Sequence, residues 1–300
     1  MVGAPRIFDR DLQRRRRLRA MRGDPVDFLL RHVAEELVER LLVVKRSFVR
    51  AADIGTPGDT LRVMMRSQGL VPDLIAVDPL VRALRSGDTL RSVAADEEAL
   101  PFADASLDLI VSALALQAVN DLPGALTQIR RALKPDGLFL AALLGGETLT
   151  ELRQSFAEAE AEVEGGVSPR VAPFADLRDL GALLQRAGFA LPVVDADRVT
   201  VRYATAFDLM RDLRGMGWTN ALVERRRLPL KRATLLRMAD IYARRFSDPD
   251  GRLRASFDIV WLSGWAPHES QQQPLRPGSA KARLADALKT TELPAGEKPG

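Results

Sequence analysis

The chain has no cysteine, which excludes disulfides, thiolate zinc sites, iron–sulfur clusters and a cysteine nucleophile together. It has two histidines, His32 and His268. A non-haem iron centre is commonly held by two histidines and a carboxylate. These two are far apart in sequence and share no helical spacing, so no metal site is expected. Aromatic residues are only 5% of the chain, and the core must therefore be built from Leu, Val and Ala. No apolar run reaches the roughly 18–20 residues of a membrane-spanning helix. Residues 1–20 are Arg-rich and lack the apolar segment of a secretory signal. The chain is expected to be cytoplasmic.

What is present is a globular composition, 46% hydrophobic and 28% charged over 300 residues, long enough for one large domain or two modest ones. The net charge of +4 is unevenly placed: residues 1–50 carry thirteen Arg/Lys against seven Asp/Glu, with Arg14 to Arg17 continuous. Such a block reads either as a surface for an anionic partner or as a solvated helix face. Apart from Phe8 no aromatic interleaves with it, so a nucleic-acid surface is not expected. The expected organisation is a basic arm over 1–23, a folded domain over 24–268 and a largely disordered tail over 269–300, rich in Gln, Pro, Ser, Lys and Gly.

Short apolar runs alternate with helical patterns from residue 48 onward. Strands are predicted at Phe48–Gly55, Leu74–Val77, Ser92–Ala95, Leu107–Leu114 and Leu138–Leu144. Helices are predicted over 24–44, with Asp24-Pro25 as its start, and at Thr60–Ser67, Val81–Arg85 and Leu122–Leu133. Asp121 can cap the last of these, and Lys134-Pro135-Asp136-Gly137 ends it. Later come helices at Glu147–Val163, at 177–188, at Phe207–Leu213 and at Lys231–Phe246, with a short one at Ala280–Leu288. Val193–Tyr203 and Phe257–Trp265 read as late strands, as in a terminal hairpin. Strand–helix alternation with apolar strands means a mostly parallel α/β sheet with helices on both faces. The core lies at 46–146, with helical additions at 147–190 and 205–247.

Open parallel sheets bind ligands beyond the carboxyl ends of their strands. Those ends carry Asp53, Gly55, Thr56 and Gly58 after the first strand, and Asp78 and Pro79 after the second. Asp96 and Glu97 follow the third, and Ser112 and Ala113 the fourth. An acid ending the second strand can accept hydrogen bonds from ribose hydroxyls. An acid after the third can accept an adenine amine, and Gly55 lets backbone approach without a Cβ. Acids at three successive strand ends point to a nucleoside-type ligand.

Asp53-x-Gly55, Asp78, Ala95-Asp96-Glu97-x-x-Leu100-Pro101-Phe102, Asp108-Leu109-Ile110-Val111-Ser112 and Leu133-Lys134-Pro135-x-Gly137 resemble the class I S-adenosylmethionine methyltransferases. More narrowly, several stretches resemble the mitochondrial complex I assembly factors of methyltransferase fold that are described as protein-arginine hydroxylases. They are Phe8-Asp9-Arg10, Val119-Asn120-Asp121-Leu122-Pro123, Gly145-Gly146-x-Thr148-Leu149-x-Glu151-Leu152-Arg153, Glu164-Gly165-Gly166-x-Ser168-Pro169 and Gly264-Trp265-x-x-His268-Glu269-Ser270-Gln271. The likeness runs from about residue 7 to 279 and implies a Rossmann-like, seven-stranded sheet. With six residues before Ile7, no mitochondrial presequence is expected, and the chain reads as a bacterial member.

The resemblance implies S-adenosylmethionine as cofactor, with Asp53, Gly55 and Asp78 on cofactor positions, Asp78 as the ribose acid and Asp96 on the adenine side. The family turn reads Asp-x-Gly-x-Gly-x-Gly. Here Pro57 and Asp59 replace its second and third glycines, and Gly58 supplies one out of register. Gln117-Ala118 stands where relatives carry His-Trp. Two functions follow from the resemblance. One is methyl transfer to a protein or small-molecule acceptor, acyl-carrier substrates included, with no catalytic residue assigned. The other is a non-catalytic or arginine-hydroxylating assembly factor that holds a respiratory-complex subunit.

Overall fold

The computed structural model describes residues 6–80 and 91–272, with 286, 289 and 290 beyond them. The described residues up to Pro267 belong to one compact unit and the described residues from His268 onward to a second. In the second, His268 Nδ1 lies 2.7 Å from the Ser270 hydroxyl. The helices expected at Val81–Arg85 and, apart from Asp286, at Ala280–Leu288 lie outside the described residues.

Seven strands form one sheet: β1 (Arg50–Ile54), β2 (Asp73–Val77), β3 (Arg91–Val93), β4 (Leu107–Ala113), β5 (Leu133–Leu144), β6 (Ala190–Tyr203) and β7 (Leu253–Trp265). Their order is β3-β2-β1-β4-β5-β7-β6. The first five run parallel, and β7 is antiparallel to both β5 and β6. The expected α/β class and mostly parallel seven-stranded sheet are thus what the chain forms. β5 shows why its sequence is a nearly unbroken apolar run. Leu138, Leu140, Ala142 and Leu144 enter one core, while Phe139, Ala141 and Leu143 enter the other. A strand covered on both faces has no polar side to alternate with.

The helices are α1 (Arg10–Arg22), α2 (Phe28–Leu42), α3 (Thr60–Ser67), α4 (Leu122–Ala132), α5 (Thr150–Glu164), α6 (Leu177–Arg186), α7 (Ala206–Gly215) and α8 (Arg232–Phe246). Residues of α2, α3, α5, α7 and α8 share one core, and α4 and α6 share the other. Asp121 caps α4 as expected, accepting from Gly124 N at 2.8 Å.

Several expected bounds need correction. β5 begins at Leu133, so the residues expected as the turn, 134–137, lie within the strand, and β3 ends at Val93 rather than Ala95. α2 starts at Phe28 rather than after Asp24-Pro25, because Val26 N donates to Gly215 O at 3.4 Å and holds that stretch out of the helix. α5 starts at Thr150 rather than Glu147. Leu149 is left-handed (φ 55°), and its N–H donates to Ser256 O at 2.7 Å. β6 and β7 are antiparallel neighbours but no hairpin, since α7 and α8 lie between them in the chain.

Glu164, the last residue of α5, ties that helix to α8. It accepts from Thr234 Oγ1 at 2.6 Å and lies 3.0 Å from Lys231 and 2.7 Å from Arg226. The Thr234 hydroxyl and the Lys231 ammonium, with Arg226, lower its carboxyl from 4.5 to about 2. A carboxyl lowered in the fold contributes stability that is complete above its ordinary value and is lost as pH falls toward the folded value. The stability gap between wild type and Glu164→Gln, measured by urea unfolding, should be constant above about pH 5 and close progressively toward about pH 2.

Candidate functional site

In this sheet the strand order reverses between the parallel neighbours β1 and β4, so the crevice beyond their carboxyl ends is the ligand position of an open α/β fold. The first layer there is structural. Asp53, fully buried at the end of β1, accepts from the Thr56 hydroxyl and from Arg62 Nη1 at 2.5 Å. Arg62, 2% exposed, also donates to Gly58 O. Thr56 Oγ1 in turn accepts from Ala113 N at 2.9 Å, and the Ser112 hydroxyl donates to Ile54 O at 2.7 Å. Asp53, Thr56, Ser112 and Ala113 therefore brace the β1 turn against β4 from beneath. Burial pushes the Asp53 carboxyl up from its ordinary value, against the pull of Arg62.

The second layer faces the crevice. Asp78, at the end of β2, is 1% exposed and accepts from Leu80 N at 2.6 Å. Glu97, after β3, is 2% exposed. A Cβ on Gly55 (φ 71°) would lie 2.6 Å from the Glu97 carboxylate and 2.9 Å from Ala115 Cβ, so only glycine admits this approach. Asp96 caps its own turn, accepting from Glu98 N at 3.0 Å. Pro79 is half-buried beside Asp78.

These acids are paired. α1 lies across them and presents Arg10, Arg14 and Arg17, one helix face at spacings of four and three. Arg17 Nη2 donates to Asp78 Oδ2 at 2.5 Å and to Gly55 O at 3.2 Å, and its other nitrogen is 3.8 Å from Glu97. Arg10 donates to Asp96 at 2.9 Å, to Glu97 and to Ala118 O at 3.0 Å. Arg14 donates to Asp96. Burial raises Glu97 above the ordinary range despite Arg10 and Arg17. Asp96 also loses hydration, but the Glu98 N–H and Arg10 outweigh that and hold it low.

Beside this crevice lies a cavity of about 270 Å³ whose wall includes Phe8, Leu114, Leu152, Phe156 and Trp218. Arg17, Pro57 and Ala115 border it on the crevice side. A second cavity of about 480 Å³ opens over the β1 turn, where Pro57, Gly58 and Asp59 meet Arg17 and Met21.

Residues 52–141 match the family model described as a methyltransferase domain. The chain is 40% identical over 294 residues to the mitochondrial arginine-hydroxylase NDUFAF5 of Danio rerio, covering 96% of this chain and 91% of that protein. The chain belongs to the class I methyltransferase-fold family. It is also 38% identical over 254 residues to the malonyl-[acyl-carrier protein] O-methyltransferase of Halorhodospira halophila, covering 82% of this chain and 84% of that one. A solved Bacillus halodurans protein shares the fold, with a TM-score of 0.55 at 14% identity, covering 78% of this chain and 99% of that one.

Within this methyltransferase fold the residues singled out from sequence separate into two sets. Gly55, Asp78, Pro79, Asp96 and Glu97 gather around the crevice. Gly58 sits in the turn (φ 68°), beneath the second cavity. Pro57 and Asp59 both line the second cavity, to which Asp59 adds a carboxylate. Gln117 lines the first cavity and donates from its side chain to Leu114 O at 2.7 Å. His32 is exposed on α2. Among the described residues no group of three or more His, Asp or Glu is placed to hold a metal ion, and no helix is long and apolar enough to cross a membrane.

Two features escaped the sequence reading. Arg62 is the buried counter-ion of Asp53, and the only hint was a basic residue at an otherwise core-facing position of α3. Arg10, Arg14 and Arg17 are crevice residues, and their spacing on one face of a helix was the available signal. Removing one partner of a buried ion pair strands the other. Arg62→Met should destabilise the fold by about 3–5 kcal/mol, and adding Asp53→Asn should recover part of that loss. Urea unfolding of the two variants checks both statements.

Proposed function

We propose that this chain binds S-adenosylmethionine beyond β1 to β4 and modifies an acceptor held in the adjoining apolar cavity. The observation that carries this reading is Asp78, buried at the end of β2 and joined to the Gly55 carbonyl through Arg17, which also borders the apolar cavity. The residue types fit such a cofactor. Asp78 can accept both ribose hydroxyls, and Asp96 lies on the side of β3 where an adenine amine would be received.

The bound cofactor would supply an activated methyl group, its sulfonium making that carbon electrophilic. The protein's own task is then alignment and exclusion of water. The apolar wall formed by Phe8, Leu152, Phe156 and Trp218 serves the second part. The substrate class on this reading is a protein or a small molecule, acyl-carrier substrates included, as the likeness to the Halorhodospira protein supports.

A second reading is favoured by Pro57 and Asp59 in the turn, together with the extensive likeness to arginine-hydroxylases of the NDUFAF5 type. In it the chain is an assembly factor that holds a respiratory complex I subunit, either without catalysis or with hydroxylation of an arginine. Mass spectrometry of the captured subunit separates the two readings, because a methylene gain marks methyl transfer and an oxygen gain marks hydroxylation.

Calorimetric titration with S-adenosylhomocysteine tests the cofactor reading. Saturable binding is expected, and Asp78→Ala should weaken it by about 1–3 kcal/mol, because ribose donors lose their acceptor. Absence of binding, whether or not the α1 arginines are in place, would overturn it.

A further inference from the structure

The carboxylates that would receive a nucleoside are the ones the α1 arginines hold. Asp78 has one oxygen on Leu80 N and the other on Arg17. Asp96 is shared by Arg10 and Arg14, and Glu97 lies on Arg10 with Arg17 near. Arg17 also reaches Gly55 O, so its guanidinium lies across the mouth of the β1 turn. We infer that α1 is a built-in competitor for the ligand site: docked, its arginines close the adenosyl end, and the ligand enters the chain in which α1 has withdrawn. This rests on the cofactor reading above.

The attachment of α1 suits such a movement. Its leading end is fixed by backbone: Ile7 N and Phe8 N donate to Asn120 Oδ1 at 2.9 and 2.7 Å, and Asp9 N donates to Ala221 O at 2.8 Å. Beyond Asp9 the helix has no fully buried residue, and it is held by guanidinium contacts to the crevice carboxylates and to the Gly55, Ala118 and Asn220 carbonyls. Such contacts can be exchanged for water or ligand hydroxyls without opening a hydrophobic core, whereas α2, with seven buried residues, cannot leave so cheaply. Phe8–Asp9 is the pivot this places in the chain. Since α1 also supplies Gln13 and Arg17 to the apolar cavity, its withdrawal opens the acceptor space and the cofactor space together.

If a docked state must be given up before binding, apparent affinity is reduced by the fraction of open chain. The full-length Arg10→Ala/Arg14→Ala/Arg17→Ala variant should therefore bind S-adenosylhomocysteine about tenfold or more tightly than wild type in calorimetry. Hydrogen exchange on the wild-type chain gives a readout that needs no variant and decides the matter if the variant fails to fold. Saturating S-adenosylhomocysteine should increase exchange of the α1 amides. Equal affinities, or α1 amides that become more protected with ligand, would overturn the inference while leaving the cofactor reading standing. Binding by neither chain would overturn both.

Discussion

A carboxylate taken out of water must be given a cation or a set of N–H donors, and that requirement organises one end of this molecule. Asp53, Asp78 and Glu97 are all buried where parallel strands end. Strand geometry puts Asp53 and Asp78 there, since each closes or follows an apolar run that the sheet must bury, while Glu97 lies in the turn after the short edge strand β3. Arg62 answers the first from α3, and α1 answers the other two from across the crevice. The two solutions differ in permanence. Arg62 is sealed in the body of the fold on α3, whereas the α1 arginines stand on a helix with no fully buried residue.

That difference separates support from site. Asp53, Thr56, Arg62, Ser112 and Ala113 form a network with its hydrogen bonds turned inward, which sets the path of the β1 turn. Gly55, Asp78, Asp96 and Glu97 sit above it and meet groups that can be replaced. The apolar cavity next to them gains its enclosure from the same α1 and from Phe156 and Trp218. Docking of one charged helix therefore governs both spaces.

The departures at Pro57 and Asp59 take on a definite meaning in this setting. Proline removes an N–H donor and fixes φ, and Asp59 places a negative charge at the second cavity. Beneath them Arg62 reaches Gly58 O and braces the turn. The cofactor and assembly-factor readings both start from the surface that Pro57 and Asp59 present.

Most of the architecture could be read from local pattern. Apolar runs at 48–55, 74–77, 107–114 and 138–144, separated by helical spacing, leave a parallel sheet as the arrangement that buries them, and Asp121 marks a helix start through backbone chemistry that is local to it. The crevice acids were legible for the same reason, as Asp53 and Asp78 close their strands and Asp96 and Glu97 lie in the turn after the third. Their partners were not. Arg10 pairs with Asp96 and Glu97, and Arg17 with Asp78, across long stretches of chain. Nothing in the spacing of an Arg-rich helix says whether its charges face water, a partner or the protein's own carboxylates. The side-chain order of a strand or helix follows from its own residues. Which buried charge is answered by which cation depends on where the folded backbone brings distant elements together, and here that placement put α1 over the site.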